Sequence, residues 1–135
     1  MRVVFLSMGL AAVMSLMTGC SSSKCESVCS DANACDLMER PTNVDCPNYC
    51  QDVEDFNARA AARAGGKSCQ AEFDAHLQCW ESNTAQICST EFDGCAESGE
   101  AWTECMAAHC AAVDEDAEAD PDPNCFGADP ALYPF

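Results

Sequence analysis

Basic residues are scarce in this chain. Six Lys and Arg stand against 23 Asp and Glu over 135 residues, and beyond residue 19 only Lys24, Arg40, Arg59, Arg63 and Lys67 remain, for a net charge of −18. A surface of that sign repels phosphate backbones and anionic headgroups, which excludes nucleic acid as a partner and electrostatic attachment to lipid. Large aliphatic side chains are equally thin. From residue 20 onward Ile, Leu, Val and Phe number 13 in all, a fraction otherwise met in disordered chains, and the 20 alanines favour helix while adding little apolar area. Burial alone would then not offset the conformational entropy of folding. No apolar run reaches a comfortable membrane-spanning length. The longest, Val3 to Met17 after Met1 and Arg2, has the length of a signal-peptide core.

What the chain has in quantity is cysteine, 13 residues, an odd number. Leu16-Met17-Thr18-Gly19-Cys20 resembles the bacterial lipobox, with Met17 where Leu is usual. The resemblance implies a lipoprotein whose signal peptide, residues 1–19, is removed and whose Cys20 is acylated as the first mature residue. Lipidating Cys20 leaves twelve cysteines, an even number suited to a disulfide framework in an oxidising compartment. An ordinary signal peptide that leaves Cys20 a thiol would keep the odd count. Ser21 stands where the family's inner-membrane retention signal has Asp, so the resemblance implies the outer membrane. Residues 20–24 are then a lipidated tether of about 14 Å at extended-chain rise, which holds residues 25–113, a cysteine-rich domain, close to the bilayer through Cys20.

Cys69-x9-Cys79 is followed by Cys95-x9-Cys105. Ten residues are a heptad plus three, an a-to-d step, so each pair lies on the seam that a helix presents to an antiparallel partner. Two such helices would set Cys69 opposite Cys105 and Cys79 opposite Cys95. The pattern resembles the twin Cys-x9-Cys helical hairpin of the coiled-coil-helix family, which lacks counterparts of Cys88 and Cys110. Cys25-x3-Cys29 and Cys46-x3-Cys50 are similar to the twin Cys-x3-Cys hairpin, which implies Cys25 opposite Cys50 and Cys29 opposite Cys46. Arg40-Pro41-Thr42-Asn43 marks the first turn. Asp45 can cap the second helix with Pro47 in its first turn, and Gly65-Gly66 ends it. Ser68 can cap a third helix carrying Phe73, Leu77 and Trp80 at helical spacing. Thr90-x-x-Asp93 resembles a capping box for a fourth, which Gly94 and Ser98-Gly99 weaken, with a break expected near Gly99.

Four cysteines fall outside both hairpins. Cys110–Cys125 would pin the tail and leave Cys35–Cys88, one choice among many that spacing does not decide. The tail, residues 114–135, is rich in Pro and acids and reads as a solvated strap; as a calcium loop it lacks the glycine turn and terminal Glu of an EF-hand. Phe126, Leu132, Tyr133 and Phe135 can fold back onto the helices.

Catalytic motifs are wanting as well. Gly65-Gly66-Lys67-Ser68 resembles the end of a phosphate loop, but Ala61 stands where the earlier glycine belongs. Cys46-Pro-Asn-Tyr-Cys50 has three residues between its sulfurs rather than the two of thioredoxin-like sites, and reads as structural. His76 and His109, near Cys79 and Cys105, would form a Cys2His2 metal site only if those thiols stayed reduced. No Ser, His and acid arrangement stands out among so many carboxylates, and neither enzyme activity nor a cofactor is expected. The expected fold is all-α, a small disulfide-rich domain of two helical hairpins, about four helices, with an irregular acidic C-terminal tail. The expected role is a structural or interaction module of the cell envelope with an unknown envelope or extracellular protein as partner. The alternatives are a metal-handling or thiol-redox lipoprotein and, were Cys20 unlipidated, a secreted inhibitor.

Overall fold

The computed structural model describes residues 21–35 and 44–132. The signal segment, Cys20, the turn at Arg40 to Asn43, Tyr133 and Phe135 lie outside them. Four helices carry the fold: α1 Ser21–Asn33, α2 Cys46–Ala62, α3 Gln70–Ser82 and α4 Ala96–Asp114, with a 3-10 turn at Thr84–Gln86. Two short strands, β1 Cys125–Phe126 and β2 Asp129–Pro130, pair antiparallel in the tail, with Cys125 facing Pro130 and Phe126 facing Asp129. Helix α1 packs on α2, α3 on α4, and the two hairpins meet where α1 lies against α3. The domain is thus small, all-α and rich in disulfides.

Local chemistry explains most helix ends. The Asp45 side chain accepts the Asn48 backbone N–H at 3.3 Å, and Pro47 sits in the first turn, where a missing N–H costs nothing. Helix α2 stops at Ala62. Gly65 follows with φ of 73°, and a side chain at Gly66 would stand 2.1 Å from the Ala60 carbonyl, so only glycine lets the chain fold back over the helix end. The Ser68 hydroxyl accepts the Gln70 N–H at 3.2 Å, one residue before the α3 boundary at Cys69. Buried Asn57 then ties α2 to the start of α3, accepting from the Cys69 N–H at 3.1 Å and donating to Gln70 Oε1 at 2.9 Å.

Four expectations need correction. Thr90 and Asp93 do not cap α4, which starts after Cys95, and α4 runs unbroken through Gly99 to Asp114. The propensity cost of one glycine, about 1 kcal/mol, is outweighed because α4 is bonded to α3 at both Cys95 and Cys105, on either side of Gly99. Residues 21–24 are the first turn of α1 rather than an extended tether, so they span about 6 Å at helical rise. The tail is not a solvated strap throughout. From Asp122 to Leu132 it is docked: Asp122, Pro130 and Leu132 are buried, whereas Phe126 stays 75 % exposed.

The core is built partly of sulfur. Among its largest fully buried side chains are Trp102, Phe56, Phe73, Leu77, Met106 and Val53, and beside them Cys25, Cys29, Cys50, Cys69 and Cys110. With so few aliphatic residues, half-cystines fill space that Leu or Ile would occupy elsewhere, and the same atoms cross-link the helices.

Candidate functional site

The six disulfides come first, because they decide which sulfurs are chemically available. Cys25–Cys50 and Cys29–Cys46 join α1 to α2, with Cα separations of 5.9 and 5.7 Å. Cys69–Cys105 and Cys79–Cys95 join α3 to α4 at 5.7 and 5.8 Å. Cys35–Cys88, at 5.2 Å, ties the end of α1 to the connection after α3, and Cys110–Cys125, at 5.6 Å, pins the tail to α4. All six spans lie in the range a disulfide bridges without moving the backbone. Each cysteine from Cys25 to Cys125 is therefore bonded. Cys46 and Cys50 do not pair with each other, and Cys79 and Cys105, the sulfurs that a Cys2His2 site with His76 and His109 would use, offer no thiolate to a metal.

His76 instead organises a hydrogen-bonded chain between α3 and α4. Trp80 Nε1 donates to His76 Nε2 at 3.1 Å, His76 Nδ1 lies 3.0 Å from Ser98 Oγ, and Ser98 Oγ donates to the Cys95 carbonyl at 2.8 Å. An indole N–H can only donate, so Nε2 is the acceptor and the neutral ring carries its proton on Nδ1, pointed at Ser98. A hydrolytic pair needs the opposite polarity, with histidine taking the serine proton. Ser98 is not an activated nucleophile.

Burial pushes the His76 pKa down to about 4, against a smaller opposing effect of the Cys95 carbonyl. A histidine depressed in the folded state binds its proton more readily when unfolded, so its contribution is complete above pH 6.5, is lost as pH falls toward 4, and changes no further below that. The loss amounts to about 3 kcal/mol. Urea melts at pH 8, 6, 5 and 4 should show it as a difference between wild type and H76Q, and the His76 ring should not titrate by NMR above about pH 5. Titration near 6.5 would mean that the ring is solvated.

A second cluster, which no local pattern announced, sits under the tail. Asp122 accepts from Arg59 Nε and Nη2, both at 2.9 Å, and from the Asn124 N–H at 2.9 Å, and lies 3.1 Å from His109 Nε2. Burial alone would raise the Asp122 carboxyl; the Arg59 guanidinium, the Asn124 N–H and His109 outweigh it and hold the group below its ordinary range. His109, Asp122 and Cys125 bring their ligating atoms within 4.8 Å of one another. Cys125 is committed to Cys110, however, and Asp122 to Arg59, so the cluster works as a clasp for the tail.

Concavities mark the surface of the described residues. One, about 580 Å3, is floored by alanines of α4 and carries Arg63, Lys67, Glu72 and Glu104. Its basic groups are spent locally, Lys67 on Glu72 and Arg63 on Asp116 and the Ala112 carbonyl. In that position Arg63 also neutralises the negative end of α4, whose last turn has no base of its own. A shallow hollow of about 230 Å3 lies in the tail. The third, about 460 Å3, opens between the end of α3, residues 89–95 and the first turns of α4. His76 and Trp80 form its base, Phe92 a wall, and Asp93, Glu100 and Glu104 its rim. The Phe92 and Trp80 rings meet at 5.7 Å and 56°. Phe92 can hold that place because Gly94 has no side chain, since a Cβ there would stand 2.5 Å from the ring. This cleft is the candidate site.

Comparison with known protein families, curated proteins and solved structures finds no match for this chain. In the sequence Trp80 stands at helical spacing and His76 lies near Cys79, but neither pattern joins them to Phe92 or the acids. No spacing in residues 76–104 joins these side chains, and the cleft exists only once α4 folds back along α3.

Proposed function

We propose that this chain is a lipoprotein of the bacterial cell envelope, anchored through acylated Cys20 to the outer membrane, and that its domain is a non-catalytic structural or interaction module. The observation that carries the reading is the pairing of cysteines. Twelve are consumed in six disulfides, and the thirteenth, Cys20, is the residue that the lipobox resemblance marks for acylation. Disulfides in this number need an oxidising compartment, as an exported chain meets. Among the described residues no helix is long and apolar enough to cross a membrane, so attachment falls to the lipid. Helix α1 begins at the next residue, Ser21, which leaves little slack between anchor and domain.

Intact mass of the protein purified from its native envelope, before and after reduction and alkylation, tests this. The expected result is an acylated N-terminus at Cys20 and twelve sulfhydryls that alkylate only after reduction, with C20A released from the membrane fraction. Two or more thiols alkylating without reduction would replace the stapled module with a metal-handling or thiol-redox lipoprotein. An unmodified Cys20 would remove the anchor.

A further inference from the structure

We infer that this chain needs a thiol–disulfide isomerase, a protein presenting a reactive thiolate, to reach its native disulfides once it has been oxidised. The observation is the order of pairing. Of the six disulfides, Cys110–Cys125 joins two cysteines that follow each other in the chain, and each of the other five spans at least one cysteine that pairs elsewhere. Cys35 lies between Cys29 and Cys46, which are bonded to each other, and Cys88 lies between the bonded Cys79 and Cys95. The tie between the hairpins therefore joins the two cysteines that the hairpins enclose, across 53 residues.

An unfolded chain pairs by a different rule. The chance that two of its residues meet falls as about the three-halves power of their separation. Cys46 is eleven residues from Cys35 and Cys88 is 53, so Cys46 captures Cys35 about tenfold more often. In a chain delivered from its N-terminus, Cys46, Cys50, Cys69 and Cys79 all arrive before Cys88 as well. Packing does not correct the choice beforehand, because the scarce aliphatic side chains do not assemble a core until the cross-links hold the helices. An oxidant takes two electrons and two protons from each pair it closes, and so fixes whichever cysteines meet first. Repair is redox-neutral. A thiolate attacks one sulfur of a wrong disulfide, forming a mixed disulfide and releasing a thiolate of the chain; that thiolate attacks the next wrong pair, and the last one released displaces the catalyst with its own thiolate restored. A fully oxidised chain has no thiolate with which to begin, since twelve cysteines pair completely and Cys20 is acylated. On this point the inference rests on the anchor proposed above, because a free Cys20 would start the exchange from within.

The test uses the full chain purified from its envelope, reduced and unfolded, then returned to native buffer in non-ionic detergent. It is oxidised with diamide, which leaves no thiol behind, and a reduced thiol–disulfide isomerase is then added or withheld. Samples are trapped in acid and their disulfides mapped by mass spectrometry. With oxidant alone, Cys35 is expected on Cys46 about tenfold more often than on Cys88, and the native yield at about a tenth of that reached with the isomerase. The C35S/C88S variant frees each hairpin of its enclosed cysteine and should lose most of the dependence, read from the disulfide map so that its lower stability does not obscure the result. C110S/C125S, which removes the pair that follows in sequence, should keep it. Native pairing at equal yield without the isomerase, Cys35–Cys88 as the first bond formed, or undiminished dependence in C35S/C88S each overturns the inference. Failure of the anchor shows separately, as an unmodified Cys20 in the mass of the same preparation, and C20A then repeats the comparison without an internal thiolate.

Discussion

Complete reduction of the six disulfides is expected to unfold the domain at 25 °C, with loss of most helical circular dichroism and of any cooperative thermal transition. Each disulfide in a small exported domain stabilises by about 2–4 kcal/mol, whereas the net stability of a whole domain is about 5–15 kcal/mol. Few large aliphatics are present to compensate, and the half-cystines are themselves part of the buried core. Repulsion among 23 acids opposes compaction further. The loops closed differ in length, so the single losses should differ too. C35S/C88S opens a span of 53 residues and removes the one disulfide, among the described residues, between the two hairpins, whereas C79S/C95S opens one of 16 inside a hairpin. The chain-entropy account predicts a greater loss for the first. A cooperative melt surviving full reduction would show that packing suffices.

The second large effect falls on Trp102, whose side chain is fully buried between the hairpins' shared core and α3. Its ring lies 4.6 Å from that of Phe73 and is stacked on His76 at 6.3 Å. W102A is expected to cost about 3–5 kcal/mol, measured by urea denaturation with the disulfides intact. W102F should cost far less, about 1 kcal/mol. The indole N–H has no hydrogen-bond partner among the described residues, so removing it recovers part of the penalty of burying a bare donor, about 1–3 kcal/mol. Equal losses in the two variants would mean that the N–H is bonded in solution, by an ordered water. The comparison therefore reads hydrogen bonding separately from volume.

The cleft and the clasp beneath the tail have opposite electrostatics. Around Asp122, every charge is answered: Arg59, His109 and the Asn124 N–H surround one carboxylate. Such a satisfied group specifies a conformation and leaves nothing for a ligand. Around the cleft, Asp93, Glu100 and Glu104 have no ion-pair partner among the described residues, while Trp80 behind them is only 5 % exposed.

Much of the architecture was legible in the chain because it follows from spacing along one helix. Ten-residue and four-residue steps place sulfurs on a single face, and the disulfides of both hairpins join the cysteines so placed. Asp45 with Pro47, and Gly65 with Gly66, carry their stop and start signals in adjacent residues. The ties Cys35–Cys88 and Cys110–Cys125 had no such local basis, since their partners face away from the seams and many pairings were open. Gly99 was misleading for a related reason. Propensity is a property of one residue, and α4 is held by bonds to another helix.

Composition and periodicity suffice for a small, acidic, helical chain that depends on cross-links, because the first limits burial and the second fixes faces. Tertiary structure alone decided which polar groups are satisfied. Arg59 and Asp122 meet across 63 residues, His76 reaches Ser98 across 22, and the rim of the cleft gathers acids from a loop and a helix. Desolvation and charge compensation depend on what stands across space from a group, and that is set only when the hairpins close on each other.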